Sequence, residues 1–467
     1  MKILSYLLVV LSSLLFLLIG GLDDNTILLG GIVLYGLSIL GGFVLNRNLV
    51  FFEPIVLFNF FTIGSFIAIV YYFNVGFYKS EYITLTSFSQ DIDLLFIKAT
   101  YLCLIGLIMT NLGYFIFRKK IKIHIKPESN ISDFSFKIGI VLFLVLCYAN
   151  FFYNVWIFAG GNVFNYLSNV SIRTYEFESS GTTIMYNLGF IAVYLYLYLC
   201  LKRNKFTFRF YSVLLSIIII KFSMGRLLHT INFALSVFVI QYFYHYQKLR
   251  KKHFLYIWGL MSLIGLGIFM YFLRALSSLA FNNMVNKSFF DQMTEFFKIE
   301  SLFKFLIEKG NIPNIPVLMK IIDSWESDIG FYMGKSYFTW LYNVLPSTIR
   351  PVDYQTSFVI KNRWYSALLG GGSIPPTGIG EMYLNFGLFG VILGMFFFGV
   401  LMAYTYNLLN RFNNIWYLMI YSQILVYFFA IYPKGEFDNM SLFYILPFIA
   451  TYVFLLFLSK FFSKTKI

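Results

Sequence analysis

Charge is scarce in this sequence. Of 467 residues, 12% are Asp, Glu, Lys or Arg, where a soluble globular chain carries about 25%. Cysteine is scarcer, limited to Cys103, Cys147 and Cys200, each inside an apolar run. An odd, scattered set excludes a disulfide framework or a cysteine metal site and leaves three small core residues. Histidine occurs four times, never as HxxH or HExxH, which excludes a zincin. What abounds is apolar: 59% of residues are hydrophobic, 58 are Phe, and the mean hydropathy is +0.74. This balance excludes a soluble enzyme, a disordered chain and a disulfide-stapled secreted domain. It indicates an integral membrane protein.

A bilayer core about 30 Å thick needs about 20 apolar residues per helix. Such runs occur near 3–20, 27–45, 55–73, 94–117, 135–158, 184–201, 210–222, 227–246, 254–273, 379–406, 416–432 and 440–459. The expected fold is therefore an all-α polytopic membrane protein with about twelve transmembrane helices. The first run ends in Gly20-Gly21-Leu22-Asp23 without a small-x-small cleavage site, so it reads as a retained helix.

The net charge of +15 is a topological signal. With the N-terminus inside, the inner loops hold twenty Lys and Arg, among them Arg118 to Lys126 and Lys248 to Lys252, against Glu53, Glu128 and Asp133. The short outer loops hold only Lys79, Arg173, Lys221, Arg226 and Lys434. The positive-inside rule then places both termini in the cytoplasm. The basic balance needs no nucleic-acid partner.

One connection is long. Three regions follow: spans one to nine (1–273), an outward loop of about a hundred residues (274–378) and spans ten to twelve (379–467). Loops that long are functional or disordered, and the abundance of Phe, Tyr and Trp predicts an ordered one. Residues 287–309 show apolar positions at helical spacing, from Phe289 to Leu306. That fits an interfacial helix, either a lid or simple packing against the helix tops. Pro313 and Pro316 then break the chain. Next come Lys335, Arg350, Lys361 and Arg363 among aromatic residues. Arg forks onto phosphate, and sugar faces stack on Tyr and Trp rings, so this alternation suits a ligand combining phosphate and sugar.

The strongest local feature is Gly370 to Gly390, where glycines and prolines turn the chain to the membrane surface. Glu381 then enters the outer end of an apolar helix, a costly place that marks function by default. A capping role at the helix N-terminus is the alternative. Glu381 and Asn385 share a face at i, i+4. Gly387, Gly390, Gly394 and Gly399 allow close packing. Arg226, after the short seventh run, faces outward as a cavity residue or as an interfacial snorkelling one. Lys434 and Glu436 lie between the last two spans, and Arg173, Arg274 and His229 are weaker candidates. Asp23, Asp24, Asp91 and Asp93 read as ordinary loop acids.

Gly334-Lys-Ser-Tyr337, Leu345-Pro346, Ile349-Arg350-Pro351, Gly371-Gly-Ser373 and Thr377-Gly-Ile-Gly-Glu-Met-Tyr-Leu-Asn-Phe-Gly387 resemble the oligosaccharide repeat-unit polymerases, the O-antigen polymerase (Wzy) group. The resemblance runs from about residue 140 onward, and the first four spans share only hydropathy. One departure is Lys434-Gly435-Glu436, where relatives often carry Arg-Gly. The resemblance implies a GT-C-like glycosyltransferase of the bacterial inner membrane with a periplasmic loop. It implies a glycan donor on undecaprenyl diphosphate, an acceptor that is the next lipid-linked repeat unit, no cofactor and no metal. The implied pathway partners are a repeat-unit flippase and a chain-length regulator.

Within that resemblance, Glu381 is the expected general base. Arg226, Arg350, Arg274, Arg363, Lys335 and Lys434 are expected on the diphosphate. Tyr337, Trp364, Tyr383 and Asn385 are expected on the sugars. A capsule or exopolysaccharide polymerase, a repeat-unit flippase and an O-antigen ligase are the rival readings. Against the flippase stand the absence of a half-to-half repeat and the long loop.

Overall fold

The computed structural model describes residues 10–13, 23–44, 50, 52–76, 80–119, 132–163, 166, 183–223, 227–244, 314–344, 355–366, 374–412, 414–430, 432–435 and 440–464. Among them regular structure is helical and no strand occurs. Among the described residues five helices are long and apolar enough to cross a membrane, over Asp24–Phe43, Pro54–Val75, Ile92–Phe117, Asp133–Ala159 and Gly378–Leu409. Shorter apolar helices cover Tyr186–Lys202, Phe208–Ile220, Asn232–Tyr244, Ile415–Phe429 and Ile449–Phe461. These ten fall on the apolar runs read from the sequence. The run at 254–273, the segment 287–309, and Arg173, Arg226, Arg274 and Arg350 lie outside the described residues.

The chain divides into two compact units. The first comprises Met1–Ile121, Lys298–Leu408 and Phe428–Met440, and the second Lys122–Phe297, Leu409–Tyr427 and Ser441–Ile467. In the first unit, α1 (Asp24–Val44), α2 (Pro54–Val75) and α3 (Ile92–Phe117) pack together. Asn59 donates from α2 to Asn111 on α3 (3.1 Å). The loop acids serve as helix starts: Asp23 accepts the Thr26 amide (3.1 Å) and Asp91 that of Asp93 (3.2 Å).

Glu53, at the N-cap of α2, has no exposed surface. Arg118 holds it with two hydrogen bonds, Nε to Oε2 at 2.8 Å and Nη2 to Oε1 at 2.7 Å. The Tyr114 hydroxyl (2.7 Å) and the Val50 amide (2.9 Å) also donate to it. Each carboxylate oxygen thus accepts two hydrogen bonds, and one guanidinium balances the buried charge.

In the second unit, α4 (Asp133–Ala159) packs on α5 (Thr183–Lys202), with α6 (Phe208–Ser223) and α7 (Leu227–Tyr244) beside α5. Phe136 stacks on Tyr198 (4.3 Å) and Phe190 on Phe233 (4.0 Å). The three cysteines are buried free thiols, as the sequence predicts.

The long-loop region contributes α8 (Ile315–Asp328) and α9 (Thr356–Trp364) to the first unit. Here Pro316 starts a helix instead of breaking the chain. Asn314 caps it by accepting the Val317 amide (3.3 Å), and a proline in the first turn loses no helical hydrogen bond. Val317, Ile321, Trp325, Ile360, Tyr365, Ile374 and Leu384 form the core that seats α8 and α9 on the N-terminal end of the Gly378 span.

Asp323 pins α8 to the turn before α3. Ser89 donates through its amide (3.1 Å) and hydroxyl (2.6 Å), the Gln90 amide at 3.0 Å and Ser324 at 2.6 Å. Lys320 pairs with it at 3.2 Å. Burial opposes ionisation, but the Ser324, Ser89 and Gln90 hydrogen bonds outweigh it and hold the carboxyl at about 2, below its ordinary 3.8. The stability this adds is complete above about pH 4 and fades as the pH falls toward 2. Asp323→Asn should therefore cost about 2 kcal/mol at neutral pH. Its melting temperature should converge on wild type as acid is added, which thermal unfolding in detergent from pH 7 to 2 would check.

Candidate active site

The site is built on α10 (Gly378–Phe389), a π-turn at Gly390–Gly394 and α11 (Met395–Phe412). Thr377 caps α10 with φ 68°, its hydroxyl accepting the Gly380 amide (2.9 Å). The turn Tyr432–Lys434 with Gly435 seats on this cap. Gly435 has φ 113°, and a Cβ there would lie 2.6 Å from the Thr377 nitrogen, so only glycine closes the contact.

The helix then breaks inside the apolar span. Phe386 (φ −142°, ψ 19°) and Gly387 (φ 60°, ψ −146°) leave helical geometry. A break at membrane depth frees carbonyls that nothing in lipid can satisfy. Here the loop before Ser336 satisfies them. The Tyr332 amide donates to the Leu384 carbonyl (3.0 Å) and the Met333 amide to that of Asn385 (3.1 Å). The Gly334 amide donates to Asn385 Oδ1 (2.9 Å).

Asn385 is the hub. Its Nδ2 donates to Ser336 Oγ (2.7 Å) and to the Glu381 carbonyl (2.8 Å). Ser336 in turn donates to Glu381 Oε1 (3.1 Å). Glu381 is only 1% exposed. It stands at the fourth helical position, after Gly380 at the third, so the reciprocal capping box does not form. The positive end of the helix favours its charge.

Two phenols share the carboxylate's surroundings. Burial, then the Glu381 charge, raises the pKa of Tyr337. Burial, then Tyr337 and Glu381, raises that of Tyr432. The Tyr337 hydroxyl donates to Met382 Sδ (2.8 Å). The arrangement offers one carboxylate in a nearly dry place, oriented by a serine and an asparagine. A group of that kind is fit to take a proton from a positioned hydroxyl.

The structure thus brings Glu381, Asn385 and Tyr337 together. Tyr383 and Trp364 lie instead against the α8–α9 core, where Trp364 Nε1 donates to Asp328 (2.9 Å). Lys335 and Arg363 are exposed, Lys335 with its Nζ 5.9 Å from the Tyr332 ring centre. Lys434 lies in the turn on the α10 cap. Sequence reasoning missed Ser336 and Tyr432. Ser336 lies within the Gly334-Lys-Ser-Tyr337 motif and Tyr432 two residues before Lys434-Gly435-Glu436, whose charged members drew attention first.

The family model of the O-antigen polysaccharide polymerase Wzy matches residues 1–466, essentially the whole chain. No curated protein and no solved structure matches it.

Proposed function

Because the chain belongs to the O-antigen polysaccharide polymerase Wzy family, and so polymerises lipid-linked oligosaccharide repeat units into O-antigen as a multi-pass membrane enzyme, we propose that Glu381 is its general base. The observation that carries this is a carboxylate buried at the head of a broken apolar span, held by Ser336 and by the Asn385 hub. In this reading the donor is a glycan on undecaprenyl diphosphate. The acceptor hydroxyl belongs to the non-reducing end of the next repeat unit.

Glu381 takes the hydroxyl proton as the oxygen attacks the anomeric carbon. The bond from that carbon to the diphosphate oxygen breaks, and the lipid diphosphate leaves with the electron pair. Lys335, Arg363 and Lys434, with Arg226, Arg274 and Arg350, supply positive charge to the leaving group. Tyr337 lines the sugar site, while Trp364 and Tyr383 lie against the α8–α9 core and stack on more distant residues of the glycan. About twelve spans in a GT-C-like fold, cytoplasmic termini, a periplasmic loop over 274–378 and residence in the inner membrane complete the reading. A repeat-unit flippase delivers the substrate and a chain-length regulator sets the product.

Deletion of the gene tests the polymerase reading against its rivals. The lipopolysaccharide of the null strain should carry one repeat unit on its core, seen as a single step on a gel. A core without any repeat unit would identify a ligase or a flippase, and an unchanged ladder with altered capsule would identify a capsule polymerase.

A further inference from the structure

Beside the Glu381 network an apolar groove of about 560 Å³ runs along α10, the π-turn and α11, within the range of roughly 300–1,000 Å³ usual for ligand sites. Its head is Tyr337 and Met382, and Met382 follows Glu381 directly in the chain. Gly390 and Gly394 lie against Met382, with no room for a Cβ. Phe389 (75% exposed), Leu393 (52%) and Phe397 (63%) form its open wall. Among the described residues, no charged side chain lines it. The wide π-turn at Gly390–Gly394 shifts the register of the residues after it, a distortion common at functional sites.

The groove is continuous with the candidate reaction centre through the hydrogen bond from Tyr337 to Met382 Sδ. One end is therefore a polar, charged network and the rest is hydrocarbon-like. A ligand that matches both is an amphiphile with its reactive head at Glu381 and one long apolar chain. The substrate of this family is lipid-linked. We propose that the groove seats the polyprenyl chain of the lipid-linked repeat unit, from Tyr337 and Met382 at its head along Phe389, Leu393 and Phe397. This rests on the reading of Glu381 as the reaction centre and adds where the lipid lies.

The test uses the full chain in nanodiscs of phosphatidylethanolamine and phosphatidylglycerol, with a photoactivatable polyprenyl diphosphate that carries no sugar. Labelling should fall on peptides containing Phe389 to Leu401. A tenfold excess of unlabelled polyprenyl diphosphate should reduce it at least fivefold, although bulk phospholipid is present throughout. Leu393→Trp, which fills the groove from its exposed wall, should lower labelling about tenfold. Leu40→Trp, an exposed apolar position on α1 outside the groove, should leave labelling unchanged. Labelling that polyprenyl diphosphate does not compete would identify ordinary boundary lipid and overturn the proposal, as would labelling confined to other helices. The readout needs no turnover. Loss of the Glu381 assignment in polymerisation assays would leave the labelling result to decide the groove separately.

Discussion

Glu381→Gln should leave the protein folded and in the membrane, yet its lipopolysaccharide should show a single repeat unit in place of a ladder. Glutamine keeps the shape, and its carbonyl still accepts the Ser336 hydroxyl that now lies 3.1 Å from Glu381 Oε1. What it cannot do is accept a proton at neutral pH. General-base catalysis contributes about 10²–10⁴-fold to a rate, enough to erase visible polymer during growth. Glu381→Asp keeps the base but withdraws it by a methylene and should leave a faint, short ladder. A wild-type ladder from the glutamine variant would remove Glu381 from the reaction. Immunoblotting of the variant in membranes separates this outcome from simple loss of protein.

The second large effect concerns stability. Glu53→Ala should destabilise the first unit by about 3–5 kcal/mol. The Arg118 side chain is 13% exposed and its guanidinium lies against Glu53. Removing the carboxylate leaves that charge nearly buried, along with the Tyr114 hydroxyl and the Val50 amide that now donate to it. The double variant Glu53→Ala with Arg118→Met should recover part of the loss, because the buried charge that Glu53 neutralised goes too. Thermal unfolding in detergent checks both. An unchanged melting temperature for the single variant would mean that water reaches Arg118 freely.

The two effects also mark what a sequence discloses. Ten of the apolar runs, those within the described residues, are helices at nearly the expected boundaries, because a run of about 20 apolar residues is a one-dimensional property. Glu381 stood out for the same reason, as a charge inside such a run. Glu53 and Arg118 entered the reading only as members of a charge count. Their pairing spans 65 residues, and nothing local to either announces the other. Nor was the break at Phe386–Gly387 legible. The sequence shows a glycine in an apolar run, which fits a packed helix equally well. What makes the break tolerable is a pair of amides some fifty residues earlier, at Tyr332 and Met333. Ser336 escaped notice because a small hydroxyl between Lys335 and Tyr337 acquires its role only when Asn385 reaches it.

That same pair of amides constrains any attempt to exchange sugar specificity between relatives. The loop at Gly330–Tyr337 and the helix at Thr377–Gly387 complete each other's hydrogen bonds, so neither is a transplantable cassette alone. A chimera that imports one without the other would leave the Leu384 and Asn385 carbonyls of an apolar span without their amide donors. Grafts should be cut outside both segments and moved as a matched pair.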